Sequence, residues 1–317
     1  MKRVLVTGAD GFVGRWVLRA LLADEWDVCG AVQPGSPHED GLTAAERDSV
    51  RWTPLELGDP HSVRHVTSLP FDAVIHLAAV ASGGDALRDP GHSWAVNAGG
   101  TARLLGEFGR VRVAGGGDPL VVVVSTAEVY GRGARGPIRE TAEPAPCSPY
   151  AASKLGAEIA ARETSVRTGL RTIVARPFPH TGPGQDERFV LPALARRLRG
   201  ARFATAKVVK VGNLEAVRDF SDVRDVAAAY VALLRSGVPG GTYNVASGQG
   251  RLLAEVFEEL AAIIGVRAIA EPDAELMRPA DIPELVGDSS KLREATGWAP
   301  VVPFERTLRD LVDAQAD

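Results

Sequence analysis

The chain of 317 residues is 45% hydrophobic, with a formal net charge of −4 and a pI near 5.9. This length allows a large core in one or two domains, and the slightly acidic balance gives no broad positive field to bind nucleic acid or an anionic membrane. Cys29 and Cys147, the two cysteines, exclude a disulfide framework and lack metal or redox spacing, so no bound metal is expected. Apolar runs are shorter than a membrane span, and the first residues enter a strand directly rather than a signal peptide, so we expect a cytoplasmic protein.

Short apolar runs alternate with helical patterns through the first 180 residues. The candidate strands are Val4–Val6, Val28–Val32, Arg51–Leu55, Ala73–Leu77, Leu120–Ser125 and Thr172–Arg176, and the candidate helices lie near Phe12–Ala23, Gly91–Phe108 and Ala151–Thr168. This alternation predicts an α/β fold of the Rossmann type, with a doubly wound parallel sheet. Because crossovers between parallel strands are right-handed, the loops that follow the strands should line one crevice.

The pattern loosens after residue 180, where loops with glycine and proline separate helices near Phe189–Arg199, Val223–Leu234 and Leu252–Ile264. The simplest interpretation is a smaller C-terminal lobe that closes over the crevice and selects the substrate. We therefore predict a Rossmann domain over residues 1–177 and a substrate-binding lobe over residues 178–317, with some exchange of chain between the two.

Three glycines, spaced Gly8-x-x-Gly11-x-x-Gly14, follow the first candidate strand and open the first helix. This strand–turn–helix context is typical of a dinucleotide site. The first glycine allows a tight turn, the second lets the backbone approach a pyrophosphate, and the third allows close helix–strand packing. The helix N-terminus adds free amides and the positive end of the helix dipole. The candidate cofactor contacts in this loop are Gly8, Asp10, Gly11, Phe12, Val13 and Gly14.

The end of the second candidate strand bears on the choice of nicotinamide cofactor. NAD-preferring sites place an acid there, about 20 residues beyond the glycines, on the ribose 2′-hydroxyl group. Here the sequence is Gln33-Pro34-Gly35-Ser36, without an acid or an arginine, which mildly favours NADP(H) and leaves NAD(H) open. Asp59, just before Pro60, fits either a contact with the adenine edge or a helix N-cap. The further candidate cofactor contacts are Gln33, Glu56, Leu57, Asp59, Leu77, Ala78 and Ala79.

Tyr150 and Lys154 are four residues apart, and therefore lie on one face of a helix with one turn between them. There the ammonium group can lower the phenol pKa, which makes Tyr150 a usable general acid or base near neutral pH. Taken alone, Tyr150 could also be an aromatic residue at a helix start with its hydroxyl group in water. Together with a dinucleotide site, the pair indicates hydride transfer at a carbinol or ketone.

Five motifs occur in an order that resembles the extended short-chain dehydrogenase/reductases, a family of nucleotide-sugar epimerases, dehydratases and reductases. They are Thr7–Gly14, His76–Ala79, Asn97-x-x-Gly100-Thr101, Ser125–Gly131 and Tyr150-x-x-x-Lys154, and the resemblance covers essentially the whole chain. It implies that Tyr150 is the catalytic acid or base, and that Lys154 lowers its pKa and holds the nicotinamide ribose. It also implies that Thr126 hydrogen-bonds the reacting oxygen, which a phenol and a hydroxyl group can polarise together.

The second half of the chain resembles one branch of that family. Val211–Asp225, Gly182–Gln185 and Arg278–Pro283 are similar to segments shared by GDP-mannose 4,6-dehydratases and GDP-4-dehydro-6-deoxy-D-mannose reductases. The resemblance implies that Arg218 binds the nucleotide diphosphate, and that Arg278 and Asp281 contact the phosphate and ribose of GDP. The candidate substrate contacts are Ser82, Thr126, Glu128, Pro179, Val190, Asn213, Arg218, Arg278 and Asp281.

Two features of this half leave alternatives open. Without the resemblance, the four charges of Arg218, Asp219, Arg224 and Asp225 fit an intramolecular ion-pair network equally well. Pro179 stands where these enzymes usually carry an asparagine that touches the substrate phosphate. Because proline has neither a side-chain donor nor an amide hydrogen, the resemblance does not extend to this contact.

The resemblance implies reduction of the 4-keto group of a GDP-4-keto-6-deoxy-hexose, as in formation of GDP-D-rhamnose, with Tyr150 as proton donor. A compact connection over residues 33–50 and the end at Asp317 favour a reductase, because the dehydratases of this branch are longer. A 4,6-dehydratase or an epimerase is the alternative. Glu128 is a candidate catalytic residue, but it does not distinguish a dehydratase from a reductase, since reductases carry a glutamate there too. It could also orient water or Tyr130. A non-catalytic nucleotide sensor would typically lack the Tyr–Lys pair.

The helices Gly91–Phe108 and Ala151–Thr168 carry more apolar positions than one sheet face needs. In the family these two helices form a four-helix dimer interface, so a homodimer is expected. Simple burial of both helices against the sheet is the alternative.

Overall fold

The computed structural model describes residues 1–36, 41–132, 136–203, 207–277 and 282–315. In chain order the first half contains β1 (Arg3–Thr7), α1 (Phe12–Ala23), β2 (Asp27–Val32), α2 (Ala44–Asp48), β3 (Arg51–Pro54), α3 (Pro60–Thr67), β4 (Ala73–His76), α4 (Gly83–Arg88), α5 (Pro90–Trp94), α6 (Thr101–Val113), β5 (Leu120–Val124), α7 (Pro149–Thr168) and β6 (Thr172–Pro177). The second half contains β7 (His180–Thr181), α8 (Val190–Phe203), β8 (Val208–Val211), β9 (Val217–Asp219), β10 (Ser221–Asp222), α9 (Val223–Ser236), β11 (Thr242–Val245), β12 (Gly250–Leu252), α10 (Leu253–Ile264), β13 (Ile269–Pro272), β14 (Glu284–Leu285), α11 (Ser290–Thr296) and α12 (Phe304–Ala314).

Seven parallel strands form the central sheet, in the order β11-β6-β5-β4-β1-β2-β3. Its middle strands are buried on both faces, which explains why they are continuous apolar runs; Leu120–Val124, for example, is buried at every position. The helices α1, α9 and α11 cover one face, and α3, α6 and α7 cover the other. The predicted doubly wound α/β fold is confirmed, and all six predicted strands are present.

The seventh strand comes from the second half of the chain. Strand β11 pairs in parallel with β6, from Thr242 opposite Val174 to Val245 opposite Pro177. Helix α9 also returns to the sheet and packs against α1. Strand β11 was not predicted from the sequence, because its four residues include a polar Asn244, whose side chain finds buried partners only in the folded chain. This return is the chain exchange between the two predicted units, and their division at residue 177 stays a prediction.

A second core lies between α8, α10 and α12 of the C-terminal half. Small sheets surround it, with strand orders β12-β9-β14, β13-β8 and β10-β7. The helices predicted in this half are observed as α8, α9 and α10, with ends shifted by a few residues at most.

The helix predicted near Gly91–Phe108 is observed in pieces. A π-helical turn, Ala95–Gly100, separates α5 from α6, and such turns are frequent at functional sites. Short 3₁₀ turns cover Ala127–Tyr130 and Ala274–Leu276. Within the described ranges, no helix is both long enough and apolar enough to cross a membrane.

Candidate active site

The glycine loop between β1 and α1 has the backbone geometry that a pyrophosphate needs. Gly8 has a φ of +68°, and a Cβ atom there would lie 2.9 Å from the amide nitrogen of Ala78. A Cβ atom on Gly14 would lie 2.7 Å from the carbonyl oxygen of Ala9, so both positions require glycine. Gly11 is the N-cap of α1, and no described side chain caps this end, which leaves the first helical amides available to an anion.

The segment after β4 lies directly against this loop. The amide of Leu77 donates to the carbonyl oxygen of Thr7 at 3.2 Å, and the amide of Ala78 donates to Thr7 Oγ1 at 3.1 Å. Ala79 follows, and the chain then runs to Val80 beside the π-helical turn. The expected convergence of these two loops is therefore observed.

A buried chain of hydrogen bonds fixes the ends of β1 and β4 against α6. Thr7 Oγ1 lies 2.7 Å from His76 Nδ1, and His76 Nε2 lies 2.9 Å from Thr101 Oγ1. The Thr101 hydroxyl group donates to the carbonyl oxygen of Asn97 at 2.5 Å, so it accepts from Nε2, and Nδ1 must accept from Thr7. Burial and the charge of Lys154 lower the pKa of His76 to about 3, which keeps this imidazole neutral.

Two carboxylate groups lie at the end of β2, where the sequence led us to expect none. The Ser36 hydroxyl group donates a hydrogen bond to Asp10 Oδ2. Gln33 Nε2 donates to Glu56 Oε2 at 3.2 Å, and Glu56 Oε1 accepts from the amide of Gly58 at 2.9 Å. The expectation of a strand end without an acid is wrong, because Asp10 and Glu56 arrive from the loops after β1 and β3.

Asp59 is the N-cap of α3, one of the two interpretations left open by the sequence. Its Oδ1 atom accepts from the amide of His61 at 2.9 Å and its Oδ2 atom from the amide of Ser62 at 3.3 Å. These hydrogen bonds lower the pKa of Asp59. Leu57, two residues earlier, is buried, and its carbonyl oxygen accepts a hydrogen bond from Arg103. Contacts of Leu57 and Asp59 with a cofactor stay predictions.

Helix α7 presents Tyr150 and Lys154 at the end of β5. Ser148 caps the helix by accepting a first-turn amide at 3.1 Å, and Pro149 occupies the first helical position. Tyr150 therefore lies in the first turn, with its phenol close enough to Thr126 at the strand end for that side chain to lower the phenol pKa. The structure thus brings together the three residues that the motifs indicated.

The pKa of Tyr150 is shifted in the direction opposite to our expectation. Burial and the neighbouring Glu128 carboxylate raise this pKa, and the Thr126 side chain lowers it by less. The predicted net lowering of this pKa is therefore wrong for this structure, because burial and the Glu128 carboxylate both disfavour the charged phenolate. A phenol with a raised pKa stays protonated at neutral pH and can act as a proton donor.

Lys154 is buried above a buried ion pair. Burial lowers the pKa of Lys154 to about 8, while Glu158, one turn further along α7, opposes the shift. Glu158 accepts from Arg176 Nε at 2.9 Å and from Arg176 Nη2 at 2.7 Å. Ser125 Oγ donates to the same carboxylate at 2.6 Å. With this counter-charge below it, Lys154 is mainly an ammonium ion at neutral pH.

A second group of hydrogen bonds ties α7 to the loop after β4. Asn97, in the π-helical turn, donates to Ser153 Oγ at 2.9 Å and to the carbonyl oxygen of Val80 at 3.1 Å. Its own Oδ1 atom accepts from the amide of Val80 at 2.8 Å. Ser153 donates in turn to the carbonyl oxygen of Tyr150 at 2.8 Å. The first turn of α7 is thus fixed relative to the glycine loop.

Glu128 is the second residue of the 3₁₀ turn after β5, and its amide donates to Thr126 Oγ1 at 3.2 Å. Its carboxylate is near enough to Tyr150 to raise the phenol pKa. Tyr130, at the end of the turn, donates its hydroxyl hydrogen to Asn244 Oδ1 at 2.7 Å. Asn244 therefore orients Tyr130, whereas the sequence had left open that Glu128 does so.

The charged segment around Arg218 divides between two roles. Arg224 pairs with Asp222 and with Asp310, each at 2.7 Å, so the ion-pair interpretation holds for this arginine. Asp219 instead accepts three backbone amides and one serine hydroxyl group, while burial raises its pKa. Arg218 lies on β9, between β12 and β14, and donates to the preceding carbonyl oxygen at 2.9 Å.

The other predicted substrate contacts lie on separate elements. Ser82 caps α4, and Asn213 Oδ1 accepts a backbone amide at 2.9 Å. Val190 is the first residue of α8 and 37% exposed, and the carbonyl oxygen of Pro179 accepts from the amide of Ser221 at 2.9 Å. Two further predicted contacts, Arg278 and Asp281, lie outside the described residues.

Comparison with known proteins decides the family. The model of the GDP-mannose 4,6 dehydratase family matches residues 5–311. The chain belongs to this family. It is 35% identical over 316 residues to GDP-6-deoxy-D-mannose reductase from Pseudomonas aeruginosa, covering 98% of this chain and 96% of that protein.

Solved structures agree with this membership in the GDP-mannose 4,6 dehydratase family. RMD from Pseudomonas aeruginosa complexed with NADPH superposes with a TM-score of 0.81 and 34% identity, covering 99% of this chain and 98% of that one. UDP-glucose 4-epimerase from Thermus thermophilus in complex with NAD gives a TM-score of 0.85 and 30% identity, covering 98% of each chain. The resemblance to extended short-chain dehydrogenase/reductases is confirmed.

Some residues of this GDP-mannose 4,6 dehydratase family member support the site from below and were not among the residues predicted from the sequence. Glu158 continues the four-residue spacing of the Tyr–Lys pair, a signal that could have been found. Arg176 is a charge inside an apolar strand, which indicates a buried partner. His180, whose ring stacks on Phe12 of the glycine loop at 6.4 Å between centroids, has no local sequence signal.

Proposed function

We propose that the protein reduces the 4-keto group of a GDP-4-keto-6-deoxy-hexose, as in the conversion of GDP-4-dehydro-6-deoxy-D-mannose to GDP-D-rhamnose. Hydride comes from NAD(P)H and the proton from Tyr150. The observation that carries the proposal is the end-to-end similarity to a GDP-6-deoxy-D-mannose reductase, at 35% identity over 98% of the chain. The retained Tyr150–Lys154 pair supports an oxidoreductase over a non-catalytic sensor.

The glycine loop and the ends of β2, β3 and β4 would hold the cofactor. The first amides of α1 would bind its pyrophosphate, and Lys154 would donate to the nicotinamide ribose. When bound, the reduced nicotinamide supplies a hydride ion. The proposed cofactor contacts are Gly8, Asp10, Gly11, Phe12, Val13, Gly14, Gln33, Glu56, Leu57, Asp59, Leu77, Ala78, Ala79, Tyr150 and Lys154.

Tyr150 and Thr126 would polarise the substrate carbonyl group. The Tyr150 phenol stays protonated because burial and Glu128 raise its pKa, so it can donate to the keto oxygen, with Thr126 as a second donor. As negative charge develops on that oxygen, the proton moves to it from Tyr150 Oη. Lys154, an ammonium ion below its pKa of about 8, stabilises the phenolate that remains.

The C-terminal lobe would supply the nucleotide-sugar contacts. Arg218 would bind the diphosphate bidentately, with Arg278 and Asp281 on the phosphate and ribose. Residues 1–177, completed by β11 and α9, would bind the cofactor, and residues 178–317 the substrate. The remaining proposed substrate contacts are Ser82, Thr126, Glu128, Pro179, Val190 and Asn213.

A 4,6-dehydratase or an epimerase is the second candidate function. The observation that favours it is the Glu128 carboxylate, which lies near enough to Tyr150 to raise its pKa. A carboxylate at this place could take the C5 proton and help to expel the C6 hydroxyl group, as a dehydratase requires.

A paired assay separates the candidates. With the GDP-4-keto-6-deoxy sugar, a reductase consumes NADH or NADPH in equal amount to the GDP-6-deoxyhexose formed. With GDP-mannose alone, a reductase forms nothing, whereas a dehydratase forms the 4-keto sugar without net change of cofactor. Product from GDP-mannose alone would therefore contradict the proposed reductase activity.

We also propose a homodimer in the cytoplasm. Ile159 and Val166 of α7 are 60% and 89% exposed, and Trp94 and Val113, at the ends of α5 and α6, are 46% and 68% exposed. A second copy would cover these apolar side chains. Both cysteines are free thiols, which supports a reducing compartment. Light scattering that gives the mass of one chain at micromolar concentration would contradict the dimer.

A further inference from the structure

The carboxylates of Asp10 and Glu56 hold the two polar side chains at the end of β2. Asp10 accepts from the Ser36 hydroxyl group, and Glu56 accepts from Gln33 Nε2 at 3.2 Å. In a Rossmann site this strand end meets the adenosine ribose, where NAD carries a 2′-hydroxyl group and NADP a 2′-phosphate. Two carboxylates therefore stand at the part of the site that distinguishes the two cofactors.

Neither carboxylate forms an ion pair in the part of the chain that the structure describes. On the neighbouring helix α1, Arg19 is engaged by Glu46 at 2.8 Å, and Arg15 donates to the carbonyl oxygen of Gly184 at 3.2 Å. The sequence from Gln33 to Asp40 contains no lysine or arginine either. A 2′-phosphate would thus meet two carboxylates whose negative charge no ion pair among the described residues neutralises.

The chemistry of the two ribose substituents makes the arrangement selective. A hydroxyl group donates a hydrogen bond to a carboxylate, which is a charge-assisted and short bond. A phosphate at neutral pH has no hydrogen to donate there and carries most of two negative charges, so a carboxylate repels it. Both carboxylates are half-buried, so salt screens this repulsion only in part.

We infer that Asp10, together with Glu56, makes this protein select NADH over NADPH, an inference that rests on the dinucleotide site of the proposed function. The acid that selects the cofactor belongs to the sequence of the glycine loop, although its carboxylate lies beside the end of β2. This reverses the mild preference for NADP(H) that the sequence gave, and it sets this chain apart from the Pseudomonas aeruginosa structure, which is complexed with NADPH.

Isothermal titration calorimetry of the purified protein with NADH and with NADPH tests the inference without any substrate. We expect NADH to bind at least about tenfold more tightly at low salt, with the gap narrowing as potassium chloride is added. NADPH bound as tightly as NADH, or more tightly, overturns the inference and leaves the proposed function intact. Failure of both cofactors to bind overturns the proposed function itself.

The variant Asp10→Asn removes the charge and keeps an oxygen that can accept from Ser36. We expect it to tighten NADPH binding and weaken NADH binding, so that their ratio falls by about tenfold. Asp48→Asn removes the same charge from an exposed site at the end of α2 and should leave the ratio unchanged. If Asp10→Asn leaves the ratio at the wild-type value, Asp10 does not select the cofactor; Glu56→Gln is judged by the same ratio.

Discussion

Arg176 donates to both carboxylate oxygens of Glu158, and the two side chains are only 1% and 0% exposed. The pair joins the strand β6 to the helix α7 directly below Lys154. The guanidinium group also lies 4.8 Å from the ring centre of Tyr130. Because burying two charges costs desolvation energy, the benefit of the pair lies in the position and counter-charge that it gives to Lys154.

The variant Glu158→Gln should lose about 3–5 kcal/mol of unfolding free energy, because Arg176 and Lys154 would become buried cations without a counter-charge. Urea denaturation followed by circular dichroism measures the loss. Glu163→Gln, on the exposed side of the same helix, breaks the ion pair with Arg167 and should change stability little. Equal losses in the two variants would contradict the role given to the buried pair.

Activity should fall with rising pH above about 8, because Lys154 then loses its proton and can no longer stabilise the Tyr150 phenolate. Glu158 holds the pKa of Lys154 up, so any active Glu158→Gln protein should show this fall at lower pH. Profiles of kcat/KM against pH measure the shift, with Glu163→Gln as the control. An unchanged alkaline limb would mean that Glu158 acts on folding alone.

Acid should destabilise the protein through His76. Its pKa is about 3 in the folded chain and near 6.5 when unfolded, so the unfolded state binds the extra proton between these values. The stability contribution is complete above about pH 6.5 and is lost toward pH 3, at no more than about 1.4 kcal/mol per pH unit. His76→Gln should flatten this dependence, whereas His65→Gln, at an exposed position, should not.

Tyr150→Phe should lower kcat by about 10²–10⁴-fold, since it removes the proton donor and one of the two carbonyl hydrogen bonds. Binding of the reduced cofactor, measured by calorimetry, should persist. Tyr243→Phe makes the same chemical change at a buried phenol on β11 whose hydroxyl group accepts from the amide of Val238 at 3.1 Å, so its activity should stay near wild type. Full activity of Tyr150→Phe would refute the assigned role.

Local pattern was enough to predict the strands, the glycine loop and the Tyr–Lys pair. Each depends on spacing along the chain: continuous apolar runs in buried strands, a strand–turn–helix around Gly8–Gly14, and one helical turn between Tyr150 and Lys154. The place of Thr126 in the site could be predicted because this residue lies at the end of a strand.

Features that depend on contacts between distant segments could not be predicted in this way. Asp10 reaches Ser36 only because the loops after β1 and β2 meet at the carboxyl end of the sheet. The residues at the end of the second strand therefore gave no sign of an acid. The pKa direction of Tyr150 depends on how deeply the phenol is buried, which spacing does not report. Strand β11 is recognisable only beside β6, where the polar Asn244 finds its partners.

The late strand β11 also sets an order of events during protein synthesis. Val245 follows Pro177 by 68 residues, which is roughly 3–14 s of translation at roughly 5–20 residues per second. During that interval β6 is an uncovered edge strand, open to pairing with another nascent chain. A gene cut after residue 177 would make this exposure permanent, so we expect the resulting fragment to aggregate. The two lobes should therefore occur together on one chain.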